Sequence, residues 1–137
     1  MKCALMKRFA LFLVIFTIII NPAVLHQFYA DGGRISTARY IVIDGQQCWG
    51  GYYWDTNLIR ITTDAPETTL PHEIGHYLYH KQVWSGELQN RANTAFASSP
   101  LRVCNDENFA CGYAMYCTGR LGGKLADFYK EIEDGIS

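Results

Sequence analysis

The chain lacks the features of a nucleic-acid or membrane-surface protein. Lys and Arg number 12 against 13 Asp and Glu, a formal net charge of -1. There is thus no basic arm for a phosphate backbone and no basic face for a lipid surface. No stretch repeats and no low-complexity tract is visible, so a single domain is the default at 137 residues. None of the five cysteines forms a C-x-x-C pair, so the usual spacing of a Cys-ligated structural metal is missing. The longest apolar run, Phe9 to Ile20, is shorter than the roughly 20 residues that a membrane-spanning helix needs.

What precedes and follows that run has a pattern. Lys2, Lys7 and Arg8 lead into it, and Asn21-Pro22 breaks it. A basic start, a short apolar stretch and a helix breaker describe a secretory signal peptide over residues 1–30, cut after Ala30 or after Ala23. An uncleaved N-terminal membrane anchor is the alternative. Basic residues on the N-terminal side keep that end cytoplasmic. Both arrangements therefore predict a domain over 31–137 in an extracytoplasmic place, secreted or periplasmic, with membrane contact only through an uncleaved N-terminal segment.

Once Cys3 leaves with that segment, Cys48, Cys104, Cys111 and Cys117 remain. An even number in a small exported domain predicts two disulfides. Cys111 and Cys117 lie six apart on a predicted helix, about 9 Å along its axis, which is too far to bridge. Cys48–Cys117 with Cys104–Cys111 is the expected pairing, tying the strands to a helix.

Along the body, Asp31-Gly32-Gly33 reads as a flexible start. The β-branched and aromatic run Arg39 to Asp44 predicts a strand. Gln46 to Gly51 reads as a loop. Tyr52 to Trp54 and Leu58 to Thr63 predict a hairpin around Asp55-Thr56-Asn57. Helices follow over the stretch His72 to Tyr79, then Glu87 to Ala97 behind a Ser85 cap, Asp106 to Thr118, and Lys124 to Glu133. Pro71 would break a helix interior, so the first of these is expected to start late, from Thr68 or Thr69. Strands first and helices after predict an α+β fold, a short antiparallel sheet followed by helices.

One stretch carries specific chemistry: His72-Glu73-Ile74-Gly75-His76. Residues four apart share a helix face, so His72 and His76 aim at one point. Two neutral imidazoles suit Zn2+, and a carboxylate one residue from His72 can take a proton from a zinc-activated water. Such a site wants a third protein ligand. His80 lies eight residues from His72, roughly 12 Å along the helix, too far for one ion with metal–nitrogen bonds of about 2 Å. The longer pattern H-E-x-x-H-x-x-G-x-x-H fails, since Tyr79 and Gln82 stand where Gly and His belong. Spacing leaves Glu87, Asp106, Glu107, Glu131 and Glu133 as candidates.

A second run, Glu107-Asn108-Phe109-Ala110, followed by Gly112-Tyr113-Ala114 and Tyr116, completes a likeness. With the H-E-x-x-H stretch and the closing run Lys124 to Ile132, the chain resembles small zinc peptidase domains of the gluzincin type, in particular the family of the anthrax lethal factor catalytic domain. The resemblance covers roughly residues 52–132. It implies a small zincin-like fold, His72, His76 and Glu107 as zinc ligands, and Glu73 as general base. The implied function is an exported zinc metalloendopeptidase that hydrolyses peptide bonds through a zinc-activated water, with a peptide or protein as substrate and no nucleic-acid partner. A substrate is expected to add as a strand along Leu58 to Thr63.

Two departures stand out. The family's oxyanion-stabilising Tyr upstream of the ligand Glu has no counterpart; Pro100 stands seven residues before Glu107. Arg102, Tyr113, Tyr79 and His80 are the candidate replacements. The family often has an acid after E-x-F-A, where this chain has Cys111. These departures motivate two rival expectations: a non-catalytic zinc- or protein-binding module that keeps the fold, and a secreted toxin or effector protease.

Overall fold

The computed structural model describes residues 19–136. The basic start, Cys3 and most of the apolar run lie outside the described residues. Among those described, no helix is long and apolar enough to cross a membrane.

Helix α1, Pro22–Ala30, begins with Asn21, whose side chain accepts from the Ala23 N–H at 2.9 Å. Pro22 takes the first helical position, where its missing N–H leaves no bond unmade. The helix stops at Asp31-Gly32-Gly33. Gly32 has φ +83°; its N–H donates to the Tyr29 carbonyl at 3.0 Å, and the Gly33 N–H donates to the Phe28 carbonyl at 2.8 Å. These two bonds are the Schellman stop. The expected flexible start is therefore a tight turn, and a Cβ on Gly33 would lie 2.5 Å from the Phe28 ring. Val24, Leu25 and Phe28, with Ile20 just ahead of the helix, belong to the hydrophobic core.

Strands β1 (Arg34–Ala38), β4 (Gly50–Tyr53) and β5 (Leu58–Thr62) form one sheet in the order β1-β5-β4. Strands β2 (Ile41–Ile43) and β3 (Gln46–Cys48) pair separately as a hairpin, with Ile41 opposite Cys48. The expected hairpin is present as β4 against β5, with Tyr53 opposite Leu58. Three details depart from the sequence reading. The strand predicted over 39–44 is shorter, and Asp44 (φ 51°) and Gly45 (φ 77°) turn it back into β3, where a loop was expected. Strand β1 has no period-2 apolar pattern to announce it. It pairs parallel with β5, Arg34 opposite Leu58, so the sheet is mixed rather than antiparallel.

Four helices follow: α2 (Thr69–Lys81), α3 (Gly86–Ala97), α4 (Asp106–Cys117) and α5 (Gly123–Asp134). The fold is α+β. Helix α2 starts late, as Pro71 requires, although the Thr68 side chain makes no capping bond. Ser85 caps α3, accepting from the Leu88 N–H at 3.2 Å. On α2, Leu70, Ile74 and Leu78 are fully buried; their four-residue spacing puts them on one face. His72, His76 and His80 lie on another.

Helix α4 packs across α2 at Gly75. A Cβ there would sit 2.7 Å from the Ala110 Cα and 3.1 Å from its carbonyl oxygen, both backbone atoms. Neither can move without its helix. Gly75→Ala is expected to push α4 off α2 and to destabilise the protein by about 1–3 kcal/mol, as overpacked cores do. Chemical denaturation measures this, and an unchanged midpoint would contradict the close approach.

Cys48, Cys104, Cys111 and Cys117 are all free thiols, so neither expected disulfide is present. The side chains point to different places. Cys111 bonds to Glu107 on the cleft side of α4. Cys117 lies beside Tyr113 and Glu133, Cys104 packs against the core, and the Cys48 thiol donates to the Gln46 carbonyl of its own hairpin at 3.5 Å.

Candidate functional site

The site lies where the exposed face of α2 meets the start of α4. Asn105 caps α4, accepting from the Asn108 N–H at 2.8 Å, and Asn108 Nδ2 donates to the Val103 carbonyl at 2.9 Å. The carboxylates of Asp106 and Glu107 occupy the first turn, where the helix dipole favours negative charge. The α2–α4 packing at Gly75 holds that turn opposite the histidines.

His72, His76 and Glu107 converge. His72 Nε2 lies 3.1 Å from Glu107 Oε1, His76 Nε2 lies 3.3 Å from Glu107 Oε2, and the two Nε2 atoms are 3.2 Å apart. Donors bound at about 2.0–2.1 Å to one tetrahedral ion lie roughly 3.3–3.4 Å from each other. The three side chains already stand at that spacing. His72, Glu107 and Cys111 form a further group that could hold a metal ion, their donor atoms all within 4.8 Å of one another.

Asp106 is not a donor to the centre but stands behind it. Its Oδ1 lies 2.7 Å from His76 Nδ1, and its Oδ2 lies 2.9 Å from His80 Nε2. At that distance His76 Nδ1 donates to the Asp106 carboxylate, which turns Nε2 towards the centre. A carboxylate behind a ligating imidazole fixes its tautomer and ring orientation in this way. Burial pushes the His72 imidazole below its ordinary pKa, outweighing the nearby Glu107 charge, which favours the neutral form that a ligand needs.

Glu73 points from α2 towards the sheet. It is 6% exposed. Burial raises its pKa to about 8, with the charges of Glu107 and Asp106 adding to the shift. Strand β4 runs against it: a Cβ on Gly50 would meet Thr69 Cγ2 at 2.7 Å and Glu73 Oε1 at 3.2 Å. Gly50-Gly51, read in the sequence as a loop closure, is thus a close passage of backbone over a carboxylate. Glycine inside a strand pattern is the signal for such an approach.

Two hollows meet at His72 and Glu73. One, of about 410 Å³, is lined by Trp49, Thr69, Cys111, Met115 and Arg120. The other, also about 410 Å³, is lined by Trp54, Tyr52, His76, His80 and Glu107. Trp49 and Trp54 are 59% and 70% exposed, and Trp54 stacks on His80 with the rings 3° from parallel. The sequence offered no signal that would bring Trp49, before β4, together with Met115 and Arg120, at and just beyond the end of α4.

The candidate oxyanion residues divide. His80 lines the cleft. Tyr113 does not: its ring is fully buried and its hydroxyl donates to Glu133 Oε2 at 3.0 Å on the far side of α4. Its spacing from Glu107 turns it away from the cleft. Arg102 sits in the loop before α4 with φ 64° and lines neither hollow. Tyr79 packs against Trp84 and Phe109.

No family model matches this chain, and no curated protein or solved structure is significantly similar to it.

Proposed function

We propose that the chain is an exported zinc metalloendopeptidase of zincin-like fold. The observation that carries the reading is the convergence of His72, His76 and Glu107 at 3.1 to 3.3 Å, with a buried carboxyl, Glu73, on the next residue. With both Nε2 atoms unprotonated, the three groups present lone pairs to one point, which suits a cation. The resemblance of the H-E-x-x-H and E-x-F-A runs to gluzincins supports zinc, and so does the nitrogen-and-oxygen donor set. The basic and apolar N-terminal pattern supports export.

A bound zinc ion supplies Lewis acidity at the cleft, acidifying water and polarising a carbonyl. The chain's residues do the rest. His72, His76 and Glu107 hold the ion, and Asp106 keeps His76 in the ligating tautomer. Glu73, in its ionised form, takes a proton from the attacking water and delivers it to the departing amine nitrogen. A cation beside Glu73 opposes the burial and negative charge that raise its pKa, so the carboxylate becomes the working form.

Hollows on both sides of Glu73 let a peptide continue past the reacting bond in both directions, which suits internal cleavage. The strand along which it could lie is β4, not β5 as the sequence suggested. Strand β5 is paired on both sides. Strand β4 has β5 as its only ladder partner among the described residues, and Gly50 to Tyr52 line the cleft.

The test is metal content and peptide cleavage with the purified full chain. Stoichiometric zinc, cleavage of a peptide library, and loss of cleavage on chelation are expected. Asp106→Ala is expected to weaken zinc binding about 10–100-fold, the usual cost of losing a partner behind a ligating histidine. Zinc bound with no peptide cut would leave the non-catalytic zinc-binding module; no zinc bound would end the peptidase reading and leave only a protein-binding module.

A further inference from the structure

We propose that Cys111 is a fourth protein ligand, whose thiolate competes with water for the open position of the metal centre and so restrains the peptidase without abolishing its activity. The inference rests on the metal site proposed above. Cys111 lies one helical turn after Glu107 on α4, and its Sγ is 3.6 Å from Glu107 Oε1. For a tetrahedral ion with metal–sulfur and metal–oxygen distances of about 2.3 and 2.0–2.2 Å, the sulfur–oxygen edge is about 3.5–3.7 Å. Sulfur and carboxylate already stand at that edge. His72 joins them, all three donor atoms lying within 4.8 Å of one another. The two donor sets, His72–His76–Glu107 and His72–Glu107–Cys111, share His72 and Glu107, so an ion held by those two residues has His76 and Cys111 as its remaining candidate ligands.

The direction of approach gives the thiol its consequence. Cys111 lines the same hollow as His72 and Glu73. It therefore enters the centre from the side on which Glu73 would act and where a substrate would sit. Structural zinc sites carry four protein ligands, whereas catalytic ones keep a position open. A thiolate there shifts the centre from the second kind towards the first, and a water or substrate that displaces it restores the open position. Without metal, the thiol donates its proton to Glu107; on ligation the proton leaves to solvent and sulfur binds the ion. Blocking the sulfur, by alkylation for example, reopens the fourth position.

Cobalt(II) loading of the full chain tests this without reference to activity. A thiolate on cobalt gives a near-ultraviolet charge-transfer band, which nitrogen and oxygen donors do not. The expected result is such a band in wild type, lost in Cys111→Ala and kept in Cys48→Ala, whose thiol bonds to its own hairpin. The visible bands of bound cobalt should persist in Cys111→Ala, with affinity lower by about tenfold or more. Far-ultraviolet circular dichroism confirms that the variant is folded. Cobalt bound by wild type without the charge-transfer band, or a band that survives in Cys111→Ala, overturns the role of Cys111 and leaves the three-ligand site standing. Failure of wild type to bind cobalt overturns both.

Discussion

Glu73→Gln is expected to lower kcat/KM for peptide hydrolysis by about 10²–10⁴-fold, the range that a lost general base commands, with metal content unchanged. Gln keeps the shape of the side chain but cannot take a proton. His72, His76 and Glu107 do not depend on it. The same substitution has a second signature, in the metal-free protein. Folding raises the Glu73 pKa from 4.5 to about 8. Between those values the folded chain binds more protons than the unfolded one. This contribution to stability is complete below about pH 4.5 and is lost as pH rises towards 8, at up to about 1.4 kcal/mol per pH unit. Glu73→Gln removes that slope, so the chelated variant should lose less stability than chelated wild type between pH 5 and 8. Thermal melts across that range, with and without metal, measure it. Equal cleavage by the variant would end the proposed role, and equal slopes would contradict the burial of the carboxyl.

A chain starting at Asp31 is expected to be several kcal/mol less stable than one starting at residue 19. Val24 and Phe28 are fully buried, and the Phe28 ring meets Tyr77 of the site helix edge-on, 5.1 Å between centroids. Deleting α1 also removes the entropy cost of ordering it, but it leaves Tyr77 and the neighbouring core uncovered. Phe28→Ala alone should cost about 3–5 kcal/mol. The loss reaches the candidate site as well. Asp31 accepts from the Tyr77 hydroxyl at 2.6 Å and from Lys81 Nζ at 2.7 Å, which ties the end of α1 to α2. Its carboxyl is held below the ordinary range, first by the Lys81 hydrogen bond and then by Tyr77. Urea denaturation of the two truncations compares them directly, and equal midpoints would show that α1 contributes nothing.

The stretch Ala30-Asp31-Gly32-Gly33 shows how one sequence supports two readings. A small residue before a polar, glycine-rich step suits signal cleavage. The same letters are a helix stop, with Gly32 free to take positive φ. Local chemistry could not choose between them. The burial of Phe28 against Gly33 and Tyr77 brings α1 into the core, and that contact is not local. Strand β1 was missed for a related reason. Its five residues carry no apolar alternation, and their strand form depends on the ladder to β5.

The candidate ligands were more legible. H-E-x-x-H needs only the period of a helix to bring His72 and His76 together, and Pro71 set where that helix starts. Glu107 was one of five acids by spacing, and only its likeness to E-x-F-A singled it out. The choice between Asp106 and Glu107 was invisible to spacing, because adjacent residues differ by about 100° around a helix and either could face α2. The docking of α4 at Gly75 decides it, turning Glu107 to the Nε2 atoms and Asp106 to His76 Nδ1 and His80.

The sequence by itself determined the order of the later elements, the shared face of His72 and His76 on α2 and the position of Glu73, since these rest on local propensity and on the 3.6-residue period. Only the tertiary structure decided the parallel strand β1, the place of α1 in the core, the outer role of Asp106, the turning away of Tyr113, and the approach of Cys111 to the centre. Each of these depends on how two surfaces distant in sequence meet. Close packing at Gly75, Gly50 and Gly33 sets those meetings to within an ångström, and neither composition nor periodicity encodes distances of that kind.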